Sequence, residues 1–222
     1  PFSLMAWGQL HIESGLTSIL NAATAIFGVI VAAIFFADER LSARKAFGVG
    51  LGFFGVATAI GLENLRDFDI RSLAQLAVLA GTVSYALAGA WARKHLSGLA
   101  PQVAAAGMLT GSSLLTIPIA VWVEGPLTLS LEPRTLAAIG YYAVIATAGA
   151  YLLYYQVLGM AGSGNLMLVT LLVAPVAIIA GALMLGETLA PNAYAGFALL
   201  ALGLVILDGR ALRRFPAARP HD

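Results

Sequence analysis

The chain has 222 residues, of which 60% are hydrophobic and only 10% are charged, whereas a soluble domain carries about 25% charged residues. Its net charge of +1 provides no basic field for nucleic acid, and the lack of cysteine excludes disulfides, thiolate nucleophiles and cysteine-ligated metals. The mean hydropathy of +0.89 excludes soluble, disordered and collagen-like classes, and it predicts a protein built for the lipid bilayer.

Apolar runs follow one another along the chain, separated by charged, glycine or proline residues. The first, 1–12, is too short to span and lacks the basic leader of a signal peptide, so we expect it to be the last part of a helix whose start is missing. Seven longer runs are predicted to be membrane-spanning helices, because most exceed the roughly 20 residues that cross the hydrocarbon core. They are 14–37, 45–62, 72–92, 100–123, 136–161, 164–186 and 190–208.

The distribution of lysine and arginine predicts the orientation of these spans. If the loop after the first span is cytoplasmic, nine of these residues lie on the cytoplasmic side and three on the other. Positive charge concentrates in cytoplasmic loops. We therefore expect a multi-pass protein of the cell (inner) membrane whose basic tail, 210–222, is cytoplasmic.

An internal repeat connects the two halves of the chain. Glu39 aligns with Glu187 at an offset of 148 residues, and at that offset a leucine and three glycines also coincide. Five predicted spans lie between the two glutamates, so the copies have inverted topology, as in many secondary transporters. We assign 1–62 to the C-terminal part of a first repeat and 71–209 to a second, which implies that about 77 residues precede Pro1. The predicted fold is an all-α integral-membrane bundle of inverted repeats, with ten spans when complete and with seven full spans and a partial helix here.

The sequence resembles the EamA family of the drug/metabolite transporter superfamily. The similar segments are SGLTSILNAATAIF at 14–27, FFADERLSARKAFGVGLGFFGV at 35–56 and LLVAPVAIIAGALMLGETLAPNAYAGFALLALGLVIL at 171–207. One departure is that Ala25 follows Thr24 where the family often has proline, so the proline of this motif is present only as Pro175. The resemblance implies a ten-helix inner-membrane carrier that exports amino acids or related small metabolites.

Polar residues inside the spans form stripes at helical spacing, because residues three or four apart share a helix face. Such a stripe is typical of the lining of a solute cavity, although interhelical hydrogen bonding is an equally open explanation. On the first span and on 72–92 the candidates are Thr17, Asn21, Thr24, Gln75, Thr82 and Tyr85.

Aromatic and amide residues occupy similar places in the two copies and are further candidates for the cavity. They are Trp7, Gln9, Tyr154 and Gln156, with Tyr155 beside them. An interfacial aromatic belt is the alternative for this group. His11 could couple transport to protons, but a position in water at the end of its helix is the simpler interpretation.

Three further features have both a structural and a functional interpretation. Glu39 and Glu187 could be gates or coupling sites, but we favour a charge at the positive end of the following helix, with Ser42 or Asn192 as caps. Pro118 and Pro175 are hinge candidates. Six glycines are predicted to allow close helix packing; they are Gly48, Gly50, Gly52, Gly55, Gly196 and Gly203. Dimerisation through Gly48 and Gly52 is the alternative for that pair.

The combined pattern predicts a secondary transporter, an exporter, that moves small metabolites such as amino acids by alternating access. We expect no catalytic residue, no cofactor and no metal. The expected partners are a small-molecule solute and the lipid bilayer, without nucleic acid. We expect the complete protein to be a monomer. The alternatives are an integral-membrane enzyme or a seven-helix receptor-like protein. An enzyme requires a carboxylate pair, metal site or nucleophile at membrane depth, and a retinal pigment requires a lysine within a span, whereas Lys45 and Lys94 lie in loops.

Overall fold

The computed structural model describes residues 1–70, 72–125, 131–185 and 190–208, and the regular secondary structure within these residues is helical. The α-helices are α1 Phe2–Gln9, α2 Ser14–Phe35, α3 Ala43–Ile60, α4 Leu73–Leu96, α5 Pro101–Glu124, α6 Pro133–Tyr141, α7 Ala150–Ala161, α8 Ser163–Met167, α9 Thr170–Leu185 and α10 Pro191–Asp208. Short 3-10 turns lie at Ala37–Glu39 and Leu62–Asp67, and a π-helix, Tyr142–Gly149, joins α6 to α7.

Six of the seven predicted spans are confirmed, within the described residues, as helices long and apolar enough to cross a membrane. They are Ser14–Phe35, Ala43–Ile60, Leu73–Leu96, Pro101–Val123, Pro133–Ala161 and Ser163–Met184. The seventh, predicted at 190–208, corresponds to a shorter apolar helix, Pro191–Leu207, within α10. The all-α fold class follows from these helices.

Local signals account for several helix boundaries. Ser42 accepts a hydrogen bond from the Lys45 backbone N–H at 3.2 Å, which confirms it as the N-cap of α3. Pro101 and Pro133 occupy the first positions of α5 and α6, where the missing N–H has no intrahelical partner to lose.

Two predicted helices are less regular than their sequences indicated. The run 136–161 contains the π-helix, which apolar periodicity does not reveal. The run 164–186 is divided at Leu168 and Val169, whose N–H groups donate to carbonyls three residues earlier, at 3.2 and 3.1 Å. The break lies before Pro175, which is inside α9, and Pro118 is inside α5. The hinge role of either proline stays a prediction.

The helices belong to two compact units, one containing residues 1–90 and the described residues from 163 onward, and one containing 91–162. In the second unit α5 packs against α7. The first unit contains parts of both predicted repeats, 1–62 and 71–209. Compact units are defined by which residues pack together, whereas repeats are defined by sequence similarity. The division of the chain into two repeats therefore stays a prediction.

In the first unit α2 contacts several helices through different faces. Its Leu16 and Leu20 pack against Val78 of α4. A second face forms a buried cluster with α3, α9 and α10, consisting of Ala22, Ala25, Val29, Val49, Val56, Leu171 and Leu200. Burial on both faces identifies α2 as the central helix of this unit.

Helices α3 and α10 approach until their backbones touch. A methyl group added at Gly55 would lie 2.6 Å from the Leu200 backbone nitrogen, and one at Gly203 would lie 2.7 Å from that of Gly52. The prediction of close packing is therefore confirmed for these glycines and for Gly48 and Gly196, which lie in the same contact. It is wrong for Gly50, whose added methyl group would have no neighbour within 4 Å, because this glycine faces away from α10.

Candidate functional site

A cavity of about 340 Å³ lies at the N-terminal end of α2. Its walls come from α2, α3, α9 and α10 and consist mostly of small apolar residues, with Ser14 and Ser18 of α2 among them. The other lining residues are Gly15, Ala59, Ile60, Ala174, Ala177, Ile178, Ala190 and Ala193. None of the ten cavity candidates named from the sequence lines it. The spacing of Ser14, Ser18 and Asn21, by four and then three residues, is the signal that could have found it.

The three candidates on α2 lie on one helix face but differ in their environment. The Thr17 hydroxyl donates to the Glu13 carbonyl of its own helix at 3.0 Å. The Asn21 amide is half-buried and makes no hydrogen bond within the part of the chain that the structure describes. The Thr24 hydroxyl is fully buried and has no partner among the described residues. Asn21 and Thr24 therefore keep polar groups available deep in an apolar helix.

The same face of α2 continues to Gly28, which packs directly against Met167 of α8. The polar part of the face, from Thr17 to Thr24, is thus located between the cavity at one end of α2 and a close helix contact at the other.

The candidates on α4 are engaged in local contacts. Gln75 is buried, its amide donates to the Asp67 carbonyl at 2.6 Å, and its Oε1 accepts from the Asp69 N–H at 2.8 Å. The Thr82 hydroxyl donates to the Leu79 carbonyl of its own helix at 2.7 Å. These contacts favour the packing interpretation for Gln75 and Thr82.

The short helix α1 lies antiparallel against α4. Tyr85 packs edge-on against Phe2, with ring centroids 5.5 Å apart. Trp7 is half exposed, and its ring lies 4.8 Å from that of His11. The exposed His11 donates from Nδ1 to the Trp7 carbonyl at 2.9 Å. Gln9 is exposed at the end of α1.

The remaining candidates are in the second unit, on α7. Tyr154 stands edge-on to Tyr151 and to Tyr155, with centroid distances of 5.8 and 5.2 Å. Gln156 is exposed, whereas Tyr155 is buried. The three tyrosines form a continuous aromatic row along α7.

Glu39 has a different partner from the one predicted. Its side chain is 5% exposed, and its Oε1 accepts from the Ser163 N–H at 2.9 Å and from the Ser163 hydroxyl at 3.2 Å. Its Oε2 accepts from the Gly164 N–H at 2.8 Å. The carboxylate therefore lies at the start of α8 rather than of α3, because the 3-10 turn Ala37–Glu39 brings it into the interior. Glu187, its counterpart in the predicted repeat, lies outside the described residues.

Among the described residues there is also no group of three histidine, aspartate or glutamate side chains that could hold a metal ion.

Comparison with known proteins gives a family and a fold. The model of the EamA-like transporter family matches residues 72–207. The chain is 26% identical, over 98% of its length and 72% of the relative, to a probable terminal-alkyne amino-acid exporter of Streptantibioticus cattleyicolor. It is also 26% identical, over 88% of its length and 67% of the relative, to a probable amino-acid metabolite efflux pump of Escherichia coli. A crystal structure that is 14% identical has the same fold, with a TM-score of 0.78 over 96% of this chain and 73% of that one.

Proposed function

The chain belongs to the EamA-like transporter family, and on this basis we propose that it exports small metabolites such as amino acids across the cell membrane by alternating access. Family and relatives point to a membrane transporter rather than an enzyme. The relatives that carry a substrate class in their names are described as exporters or efflux pumps for amino acids or their metabolites.

The observation that carries the proposal is the cavity together with the polar face that leads from it into α2. A solute that enters beside Ser14 and Ser18 meets Asn21 less than one turn further along the helix. Asn21 supplies a donor and an acceptor, and the Thr24 hydroxyl follows at three residues. A polar solute would give both groups hydrogen bonds that α2 itself does not provide.

The position of the cavity at a helix N-terminus supports a solute with a carboxylate. The partial positive charge of a helix is concentrated in its first turn, which attracts anions. Helix α2 begins at Ser14, in the cavity wall, and has no acidic residue in its first turn; the side chain of its N-cap residue, Glu13, is exposed and makes no capping hydrogen bond. The alanine-rich remainder of the wall suits an aliphatic side chain.

The inverted repeat, 1–62 with 71–209, is the proposed basis for alternating access. The antiparallel glycine contacts of α3 and α10 support it. Gly48 meets Gly203, and Gly55 meets Gly196. A shift of 148 residues converts the first pair into the second, which is the relation expected where two inverted copies meet at a two-fold axis.

The proposed test measures counterflow of radiolabelled amino acids in proteoliposomes, for the protein at its full natural length, called the unchanged chain below, and for its Asn21→Ala variant. We expect uptake by the unchanged chain and at least a tenfold reduction in Asn21→Ala, with equal amounts of folded protein in the membrane. Thr58→Ala is the control, because the Thr58 hydroxyl donates to the Phe54 carbonyl of its own helix and Thr58 is not among the residues that line the cavity; its transport should be unchanged.

Two results contradict different parts of the proposal. If no amino acid exchanges through the unchanged chain, the proposed solute class is wrong. If Asn21→Ala transports normally per folded molecule, the path along α2 is wrong.

A further inference from the structure

The two ends of α2 differ in how closely they approach the span formed by α8 and α9. At the C-terminal end, Gly28 packs against Met167, and a methyl group at Gly164 would lie 3.0 Å from the Ala32 side chain. At the N-terminal end, Ser18 faces the cavity together with Ala174 and Ile178. The same pair of helices is therefore closed at one end and open at the other.

Glu39 holds the closed end together. Both oxygens of its carboxylate bind the first residues of α8, at 2.8 to 3.2 Å from three donors of Ser163 and Gly164. A carboxylate is favoured here because the hydrogen bonds that it accepts from these donors are charge-assisted. Gly164 is required for this contact, because a methyl group there would lie 2.6 Å from Glu39 Oε2.

The contact joins parts of the chain that are 124 residues apart. One is the connection between α2 and α3, and the other is the turn at Gly162, where a φ of 81° favours glycine and ends α7. Four predicted spans lie between these connections, an even number, so both are at the same side of the membrane. A buried carboxylate thus joins the α2–α3 connection to the start of α8, at the end of α2 opposite the cavity.

We infer that Glu39 is a gating residue: its carboxylate latches the start of α8 to the α2–α3 connection and releases it when this end opens. The inference rests on the proposed alternating-access function and adds the residue that holds one of its two closed states. Because only one end is open at a time, loss of the latch shifts the population of molecules away from the state that is open at Ser18.

The test uses two single-cysteine reporters in a chain that has no cysteine of its own. Ser163→Cys reports the closed end, where Ser163 is 2% exposed, and Ser18→Cys reports the cavity. Ser163→Cys replaces one of the three donors to Glu39 by a thiol and keeps the two backbone N–H donors, so each rate is compared with that of the same reporter with Glu39 intact. Both exchanges nearly conserve volume. Each reporter is combined with Glu39→Gln, which keeps the shape of the side chain but removes its charge, and alkylation rates are measured in proteoliposomes. Glu63→Gln, which neutralises an exposed carboxylate in the connection between α3 and α4, is the control.

A latch predicts opposite changes at the two reporters. With Glu39→Gln we expect alkylation about tenfold faster at Ser163→Cys and several-fold slower at Ser18→Cys, while Glu63→Gln changes neither rate. Faster alkylation at Ser163→Cys without a decrease at Ser18→Cys identifies a static contact that has merely loosened, and it overturns the inference, as do unchanged rates at both positions.

Two features keep the test decisive. If Glu39→Gln does not yield folded protein, Glu39→Asp replaces it, because aspartate keeps the charge but is shorter by one methylene. With Glu39→Asp, alkylation must again become faster at Ser163→Cys and slower at Ser18→Cys, by smaller factors. Alkylation needs no solute, so it decides the latch independently of the counterflow of amino acids. Counterflow by the unchanged chain with no reciprocal change refutes the latch alone, and a reciprocal change without counterflow refutes only the solute class.

Discussion

The polar side chains in this protein are of two kinds: some are hydrogen-bonded to other described residues, and some are not. Gln75 uses both ends of its amide on the connection between α3 and α4. Asn21 and Thr24 lack hydrogen bonds to the described residues. A buried polar group costs free energy unless it is paired. We therefore propose that Asn21 and Thr24 bind the solute, whereas the paired Gln75 stabilises the fold.

Gln75→Leu should therefore lower stability and leave transport intact. The substitution leaves the Asp69 N–H and the Asp67 carbonyl without their partner, at a cost of about 1–3 kcal/mol. Thermal unfolding in detergent measures the loss, and counterflow per folded molecule should equal that of the unchanged chain. Gln102→Leu, at an exposed position of α5, should alter neither quantity. Normal stability with lost transport would instead make Gln75 a cavity residue.

At the scale of helices, glycine position decides how closely two elements approach. Between lipid-exposed helices there is no hydrophobic driving force, so van der Waals contact between backbones supplies much of the association. Gly55 and Gly196 meet at such a contact, and Gly50 on the same helix does not. Motif spacing alone assigned these glycines the same role, and only the direction of each Cα–H bond separates them.

Gly55→Ala should destabilise the protein, and Gly50→Ala should not. The added methyl group at Gly55 would meet backbone atoms of α10, which cannot move like the end of a side chain, and overpacking of this kind costs about 1–3 kcal/mol. At Gly50 the methyl group has open space, and the higher helix propensity of alanine favours the variant by up to about 1 kcal/mol. Unfolding midpoints of the two variants, measured side by side, provide the comparison. Equal midpoints would exclude a tight α3–α10 contact.

For the whole molecule, the distribution of positive residues predicts the orientation in the membrane. The positive residues are concentrated near the α2–α3 and α4–α5 connections and in the tail, and the tail lies outside the described residues. The hydrogen bonds of Glu39 to Ser163 and Gly164 place the α2–α3 connection and the start of α8 at one side. Any orientation must keep these two segments together.

Cysteine labelling in intact cells tests the orientation. A cysteine at Arg44 should be shielded from an impermeant external thiol reagent, and one at Asp67 should react, because positive loops stay in the cytoplasm. A permeant reagent should label both and thereby show that both cysteines are reactive. Reaction at Arg44 with shielding at Asp67 would reverse the assignment. With no native cysteine in the chain, the background is low.

The sequence by itself determined the membrane class, six of the spans and the family, because a bilayer requires long apolar helices and leaves few other solutions. It also located the polar face of α2, since residues of one face recur at a fixed spacing. Only the tertiary structure decided which distant groups meet: Glu39 with Ser163, Gly55 with Leu200, and Ser18 with the wall of the cavity. Local composition has no information on these pairs, because a hydrogen bond or a close packing contact depends on the position and direction of atoms from separate helices.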